Sequence, residues 1–392
     1  MRGVVLFCSL FAFLFATVAA DAQSQAAKRR GAAKKTEAAA PAPVDPRPRM
    51  RRGDDATPVT AATAPAVAQK NQKKRSARRK PGQGAQAVAD GAAQGAKPGP
   101  RDVAACAQVR EPDAAIAGCT RIIEDARQKP KGRTAAYFNR GNAYSAKSEH
   151  DKAIADFDEA IKLDPRNASA LNNRGTARND AGDADGAIAD FNAAIKLNAR
   201  YAAAYLNRAN AYAAKGDTAR AIDEYGAAIQ RNKRNVNAMI ARGALQLASG
   251  ATAKAQADMK QAARLAPKNA YSVLWLDIAE RRAKQKGMFA SGAKGARGLD
   301  MKAWPAPVVR LYTGEATVDA TVAAADSTNP AVKIAQVCEA NFYGGEYALI
   351  GGDRAEAVKL FQTAAKDCPR GFLEGIAAAA ELKGLGEKVG AN

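Results

Sequence analysis

A block of 34 residues recurs four times without a gap, and few folds accommodate such a chain. Gly141, Gly175, Ala209 and Gly243 are spaced at that interval. Twelve residues beyond each stands an alanine: Ala153, Ala187, Ala221 and Ala255. Four further on comes a large apolar residue, Phe157, Phe191, Tyr225 or Met259, and three beyond that alanine again, at 160, 194, 228 and 262. Small and large apolar residues at helical spacing make one buried stripe per helix. A helical hairpin of this size cannot bury its stripe alone and must stack on copies of itself. The expected product is an open, curved array suited to holding another protein.

The array runs over 134–269 in four units, 134–167, 168–201, 202–235 and 236–269. Tyr137, Leu171, Tyr205 and Met239 occupy the fourth position of each first helix. Gly182-Asp183 and Gly216-Asp217 mark turns, glycine relieving a left-handed backbone and aspartate capping the next helix. Pro165 and Pro267 close the first and last units. In the first unit Gly141, Tyr144, Ala153, Phe157, Ala160 and Pro165 match the signature of the tetratricopeptide repeat family, which the pattern resembles. Arg178 and Gln246 replace the aromatic of the first helix, and Ala199 and Lys233 the closing proline. The resemblance implies an all-α solenoid, a right-handed superhelix of helical hairpins whose concave face recruits a protein or peptide.

Weaker copies flank the array. Residues 102–133 read as a degenerate hairpin, with Pro112-Asp113 opening its second helix and Ala115, Cys119 and Ile122 at the repeat's spacing. A capping helix is expected over 270–286, with Leu274, Trp275 and Ile278 on its apolar side. Residues 287–330 read as a loop with short helices, one over Val308–Tyr312 and a mobile Gly- and Lys-rich stretch over Gly287–Gly298. In 331–392 the repeat returns as Gly345, Ala357, Phe361, Ala364 and Pro369, followed by a terminal helix over Phe372–Leu385. Tyr271–Glu280, Trp304–Tyr312, Cys338–Tyr343 and Phe361–Leu382 resemble the end of the NlpI-like periplasmic lipoproteins. That resemblance implies an adaptor for a periplasmic protease or for peptidoglycan-cutting enzymes. The lipid-bearing cysteine of those lipoproteins is not evident here.

Residues 1–20 have the form of a secretion signal: Arg2, an apolar run over Val4–Val18, and Val18-Ala19-Ala20 before Asp21. Cys8 reads as part of that signal, and an uncleaved N-terminal anchor is the alternative. Residues 21–101 hold no Leu, Ile, Phe, Tyr or Trp and carry 18 Lys/Arg against 6 Asp/Glu. Such a segment cannot bury enough apolar surface to offset the entropy of ordering, so a disordered basic tail is expected. It supplies more than half of the chain's net charge of +21. No aromatics interleave its cations to stack on bases, which argues against nucleic acid; the tail reads as a solvated tether, with attraction to an anionic envelope surface as the alternative. An even number of remaining cysteines in an exported chain suggests two disulfides. Three pairings of Cys106, Cys119, Cys338 and Cys368 are open, and locality favours Cys106–Cys119 and Cys338–Cys368.

Candidates for chemistry are few. His150, the lone histidine, reads as a solvent-facing turn residue and cannot by itself build a triad or a multi-histidine metal site. The spacing of the carboxylates, such as Asp156 and Asp158, is set by the repeat. No cofactor, metal or catalytic residue is expected; a wall-active enzyme subunit and a structural envelope linker are the rival readings. Two periodic sets stand out. Arg140, Arg174, Arg208 and Arg242 are each followed sixteen residues later by an acid, Asp156, Asp190, Glu224 and Asp258, which predicts a ladder of partly buried ion pairs within hairpins. Asn139, Asn142, Asn172, Asn173, Asn207 and Asn210 fall on the first helices, where amides that both donate and accept could bracket an extended peptide.

Overall fold

The computed structural model describes residues 98–108 and 111–389; the expected signal and residues 21–97 of the basic tail lie outside them. The described residues form sixteen α-helices and one 3-10 turn, with no strand. Helices α1 (Pro100–Cys106) and α2 (Pro112–Glu124) make the first hairpin. Four regular hairpins follow: α3 (Pro130–Ala146) with α4 (His150–Leu163), α5 (Ala168–Ala181) with α6 (Ala184–Leu197), α7 (Ala202–Ala214) with α8 (Thr218–Arg231), and α9 (Val236–Ala248) with α10 (Thr252–Leu265). Then come α11 (Ala270–Arg282), the 3-10 turn Gly292–Lys294, α12 (Ala306–Thr313) and α13 (Val318–Ala323). The long α14 (Pro330–Gly351), α15 (Arg354–Asp367) and α16 (Leu373–Gly384) complete the chain.

The repeat works as its spacing dictates. Ala153, Phe157 and Ala160 are fully buried, as are Ala187, Phe191 and Ala194 in the next unit. Gly141 and Gly175 lie so close to those phenylalanines that a Cβ would stand 2.8 Å from the ring. Asp183 and Asp217 cap α6 and α8 by accepting from the amides of Gly186 and Arg220, and Gly182 and Gly216 have positive φ. Helix α3 starts a turn before the repeat boundary, at Pro130, because proline at the first helical position sacrifices no bonded N–H. The stretch 287–298, expected to be slack, is a packed coil: the Phe289 side chain is buried and its amide donates to Asp277 Oδ1 at 2.7 Å.

Cys106 is bonded to Cys119, and Cys338 to Cys368. The first bridge staples α1 to α2 around a small cluster formed with Ile122 and Ala136. The second ties α14 to the end of α15.

The C-terminal hairpin does not simply extend the stack. Helix α16 folds back across α9, bringing Gly384 against the Ala248 carbonyl. Arg282, from α11, donates to Glu346 at 3.0 Å on α14 and to Glu381 at 2.9 Å on α16, and its other nitrogen reaches the Leu247 carbonyl. One side chain thus joins four helices beneath the surface. The turn after α15 reaches further still, placing the Arg370 guanidinium against Gly182 at the turn of the second unit. Units three and four, α11, α12 and α14–α16 share one continuous core around Trp275, Phe342 and Tyr343.

Candidate interaction face

Along each first helix four positions form the inner stripe. They are Ala135, Asn139, Asn142 and Ala146 in α3, and Ser169, Asn173, Thr176 and Asp180 in α5. In α7 they are Ala203, Asn207, Asn210 and Ala214, and in α9 Asn237, Ala241, Ala244 and Ala248. None of the first twelve is buried, and all four of α9 are. The covering element is the chain's own α16. The concave face expected to run along four units is therefore open on three.

The asparagines of the open part are not independent. Asn173 donates to Asn142 at 2.8 Å, Asn172 to Asn173 at 3.1 Å, and Asn207 to Asn172 at 3.1 Å and to Thr176 at 3.2 Å. Asn210 accepts from the Tyr225 hydroxyl at 2.7 Å. Asn139 makes only a long contact of 4.0 Å to Cys106 Sγ. The result is a hydrogen-bonded rail across three stacked helices. Asn172 is buried and acts as its underside. The Asn207 carbonyl oxygen and the amide hydrogens of Asn142 and Asn210 make no hydrogen bond among the described residues, and could be met by groups of a ligand. On the same face stands Asp180, half-buried, whose carboxyl is pushed up to about 6 by desolvation.

The arginine set is structural in geometry. Arg140 and Arg242 each grip their aspartate with two nitrogens, at 2.7 Å in the first pair and 2.6–2.7 Å in the second. Arg174 does the same to Asp190, which also accepts from Arg178 at 2.9 Å, and Arg208 holds both oxygens of Glu224 at 2.7 Å. The hydrogen-bonded carboxylates raise the Arg140 and Arg174 pKa values above the usual arginine range. Sequence reasoning missed the remaining guanidinium nitrogen. It reaches back to the preceding hairpin, to Thr120 at 2.9 Å, Asp158 at 2.5 Å and Asn192 at 2.5 Å for Arg140, Arg174 and Arg208. For Arg242 the corresponding residue is Gly226, which offers no acceptor side chain. Each of the first three arginines therefore fixes its own hairpin and its neighbour's position.

His150 is the first residue of α4 rather than a solvent-facing turn residue; half-buried, its imidazole is held below the usual histidine pKa by desolvation. Several buried carboxyls of the C-terminal half were not anticipated, Glu339 and Glu374 among them. Glu339 accepts from the Tyr271 hydroxyl at 2.8 Å and from the Trp304 indole at 2.7 Å, and Glu374 accepts from Tyr343 at 3.3 Å. Burial raises both pKa values, Glu374 to about 7. They lie beneath tyrosine and tryptophan rings and serve the C-terminal core.

A stack of helical hairpins with a polar rail on its inner curve defines a solenoid built for protein contact. Its four regular hairpins are tetratricopeptide repeats: family models of that repeat match residues 134–167, 177–235 and 206–270. Arrays of this family are protein–protein interaction scaffolds that bind peptide or protein partners. Similar solved structures include MamA from Desulfovibrio magneticus, 15% identical over 44% of this chain and 99% of that one, with a TM-score of 0.38. The pilF protein of Pseudomonas aeruginosa is 15% identical over 64% of this chain and 99% of its own, with a TM-score of 0.40. YrrB, described as a TPR protein with an unusual peptide-binding site, is 19% identical over 42% of this chain and 82% of that one, with a TM-score of 0.35.

Proposed function

We propose that the chain is an exported, non-enzymatic adaptor that holds an extended segment of a partner protein on the inner face of α3, α5 and α7. One observation carries the reading. The asparagines of the stripe give way to Ala241 and Ala244 in the unit where the chain covers itself, and remain where the face is open. An amide rail next to solvent has hydrogen-bonding capacity that a peptide backbone can use, whereas alanine suits a permanent helix–helix contact.

The sequence supports an envelope location through the signal-like first twenty residues, with the basic tail adding reach and attraction to anionic surfaces. The resemblance of the C-terminal pieces makes a periplasmic protease or a peptidoglycan hydrolase the partner class to try first. The test is capture of partners from an envelope fraction by the full chain and by the Asn139→Ala, Asn173→Ala, Asn207→Ala variant. The rail variant should lose a partner that the parent retains, with its helical content unchanged. Equal capture by both would remove this face as the binding site.

A further inference from the structure

The segment 283–303 between α11 and α12 carries Lys284, Lys286, Lys294, Arg297 and Lys302, all exposed, and none makes an ion pair among the described residues. This contrasts with the array, where the ladder arginines are all engaged. Asp300 is the single acid of the segment, and its carboxylate is turned to the Lys302 backbone amide at 2.9 Å. Glu280, at the end of α11, is half-buried and faces Lys260 of α10 instead.

The cations are gathered by the backbone rather than scattered. Phe289 and Ala296 are buried and pin the two limbs of the coil inward. Gly295 lies against the other limb, so that a Cβ there would stand 3.0 Å from the Phe289 Cα. Bonds from Gly292 to Phe289 and from Gly295 to Gly292, both 2.9 Å, close the coil. Met288, adjacent to the inward-facing Phe289, is 41% exposed, and Lys286, Lys294 and Arg297 lie on the same compact coil.

We infer that this coil is a docking site for the surface of an anionic phospholipid bilayer, with the cations at the headgroups and the Met288 side chain in the interfacial layer. The combination selects the partner. Lysines and arginine near an anionic leaflet each strengthen partition about fivefold. A soluble polyanion would use the same cations but has no place for a thioether held out in water, whereas the bilayer interface buries apolar side chains flanked by basic ones. The site is separate from the N-terminal tail and from the amide rail.

Because the tail can also bring the chain to anionic vesicles, the test reads the coil itself. Amide hydrogen exchange over residues 286–298 is measured on the full chain alone, with phosphatidylcholine vesicles, with vesicles containing about one-third phosphatidylglycerol, and with heparin. Exchange should slow at least about fivefold on the anionic vesicles and stay unchanged on the neutral ones. The Lys286→Gln, Lys294→Gln, Arg297→Gln variant should lose that slowing while still sedimenting with the vesicles through its tail. Met288→Ser should weaken it. All four side chains are partly or fully exposed, so thermal melting of the variants should match the parent and separates docking from folding. Vesicle-bound chain with unslowed exchange in the coil overturns the proposal. Equal slowing by heparin overturns it in favour of a polyanion site.

Discussion

Arg282 Nη1 lies 2.9 Å from Glu381 Oε1 across 99 residues of sequence, and that contact fixes the end of the chain onto the fourth repeat. Glu381 is buried and Arg282 partly so, and Glu346, also buried, joins from α14 at 3.0 Å. Removing the cation leaves two buried carboxyls facing each other without a partner, a loss of about 3 to 5 kcal/mol for a broken buried pair. Arg282→Leu should therefore lower the melting temperature and speed amide exchange in both α9 and α16. Unaltered exchange in α9 would show that the fold-back does not depend on this residue.

The repeat ladder makes a graded prediction. Asp190 is almost wholly buried, accepts from Arg174 and Arg178, and Arg174 also bonds Asp158, whereas the Glu224 side chain is 20% exposed. Asp190→Ala removes the acceptor shared by two partly buried guanidiniums, of which Arg174 keeps Asp158, and should cost about 2 to 4 kcal/mol. Glu224→Ala leaves Arg208 with Asn192 and some water, and should cost about 1 to 2 kcal/mol. Urea denaturation of the two variants decides between a graded ladder and a uniform one.

The buried acids set a pH dependence of definite sign. Burial raises the Glu346 pKa to about 8, the neighbouring Glu381 carboxylate adding to the effect. The folded value lies above the unfolded one, so the folded chain holds a proton that the unfolded chain has released over the interval between them. Stability from this group is fully present below about pH 4.5 and is lost as pH rises toward 8. Glu346→Gln keeps an acceptor for Arg282 and a donor for Glu381 but cannot ionise. Between pH 5 and pH 9 the parent should lose about 1 to 3 kcal/mol relative to this variant in chemical denaturation. Parallel pH curves would show that Glu346 is ionised throughout.

The regular hairpins were legible because their causes are local. Ala153, Phe157 and Ala160 announce a buried stripe wherever they recur, and an acid sixteen residues beyond an arginine is already opposite it once two helices pair. The cross-unit bonds of the same arginines were harder to see, since Thr120, Asp158 and Asn192 share only the ability to accept. The fold-back of α16 was not legible from periodicity, because it joins residues a hundred positions apart and a repeat pattern reports only neighbours. One trace of it is present in the sequence. The fourth unit carries Ala241, Ala244 and Ala248 where the units before it carry Asn, Thr or Asp at several of these positions, and a stripe that turns apolar at one unit is a stripe that something covers.

Glycine at the helix crossing tests how closely the hairpins pack. A Cβ on Gly175 would lie 2.8 Å from Phe191 Cε1 and 3.1 Å from the Ala187 carbonyl, with the ring enclosed and unable to turn aside. Alanine gains about 1 kcal/mol over glycine in helix propensity, but overpacking an enclosed aromatic costs about 1 to 3 kcal/mol. Gly175→Ala should therefore be neutral to destabilising. At Gly243 the opposing atom is Met259 Cε, the end of a flexible side chain with rotamers to spare. There the propensity gain should win, and Gly243→Ala should stabilise by up to about 1 kcal/mol. The third unit already holds alanine at this position, Ala209, opposite Tyr225, so a Cβ is compatible with the crossing when the facing side chain is placed to receive it. Thermal denaturation should show a raised midpoint for Gly243→Ala and an unchanged or lowered one for Gly175→Ala; a larger loss at Gly243 than at Gly175 would mean that backbone distance, rather than the rigidity of the facing side chain, governs the crossing.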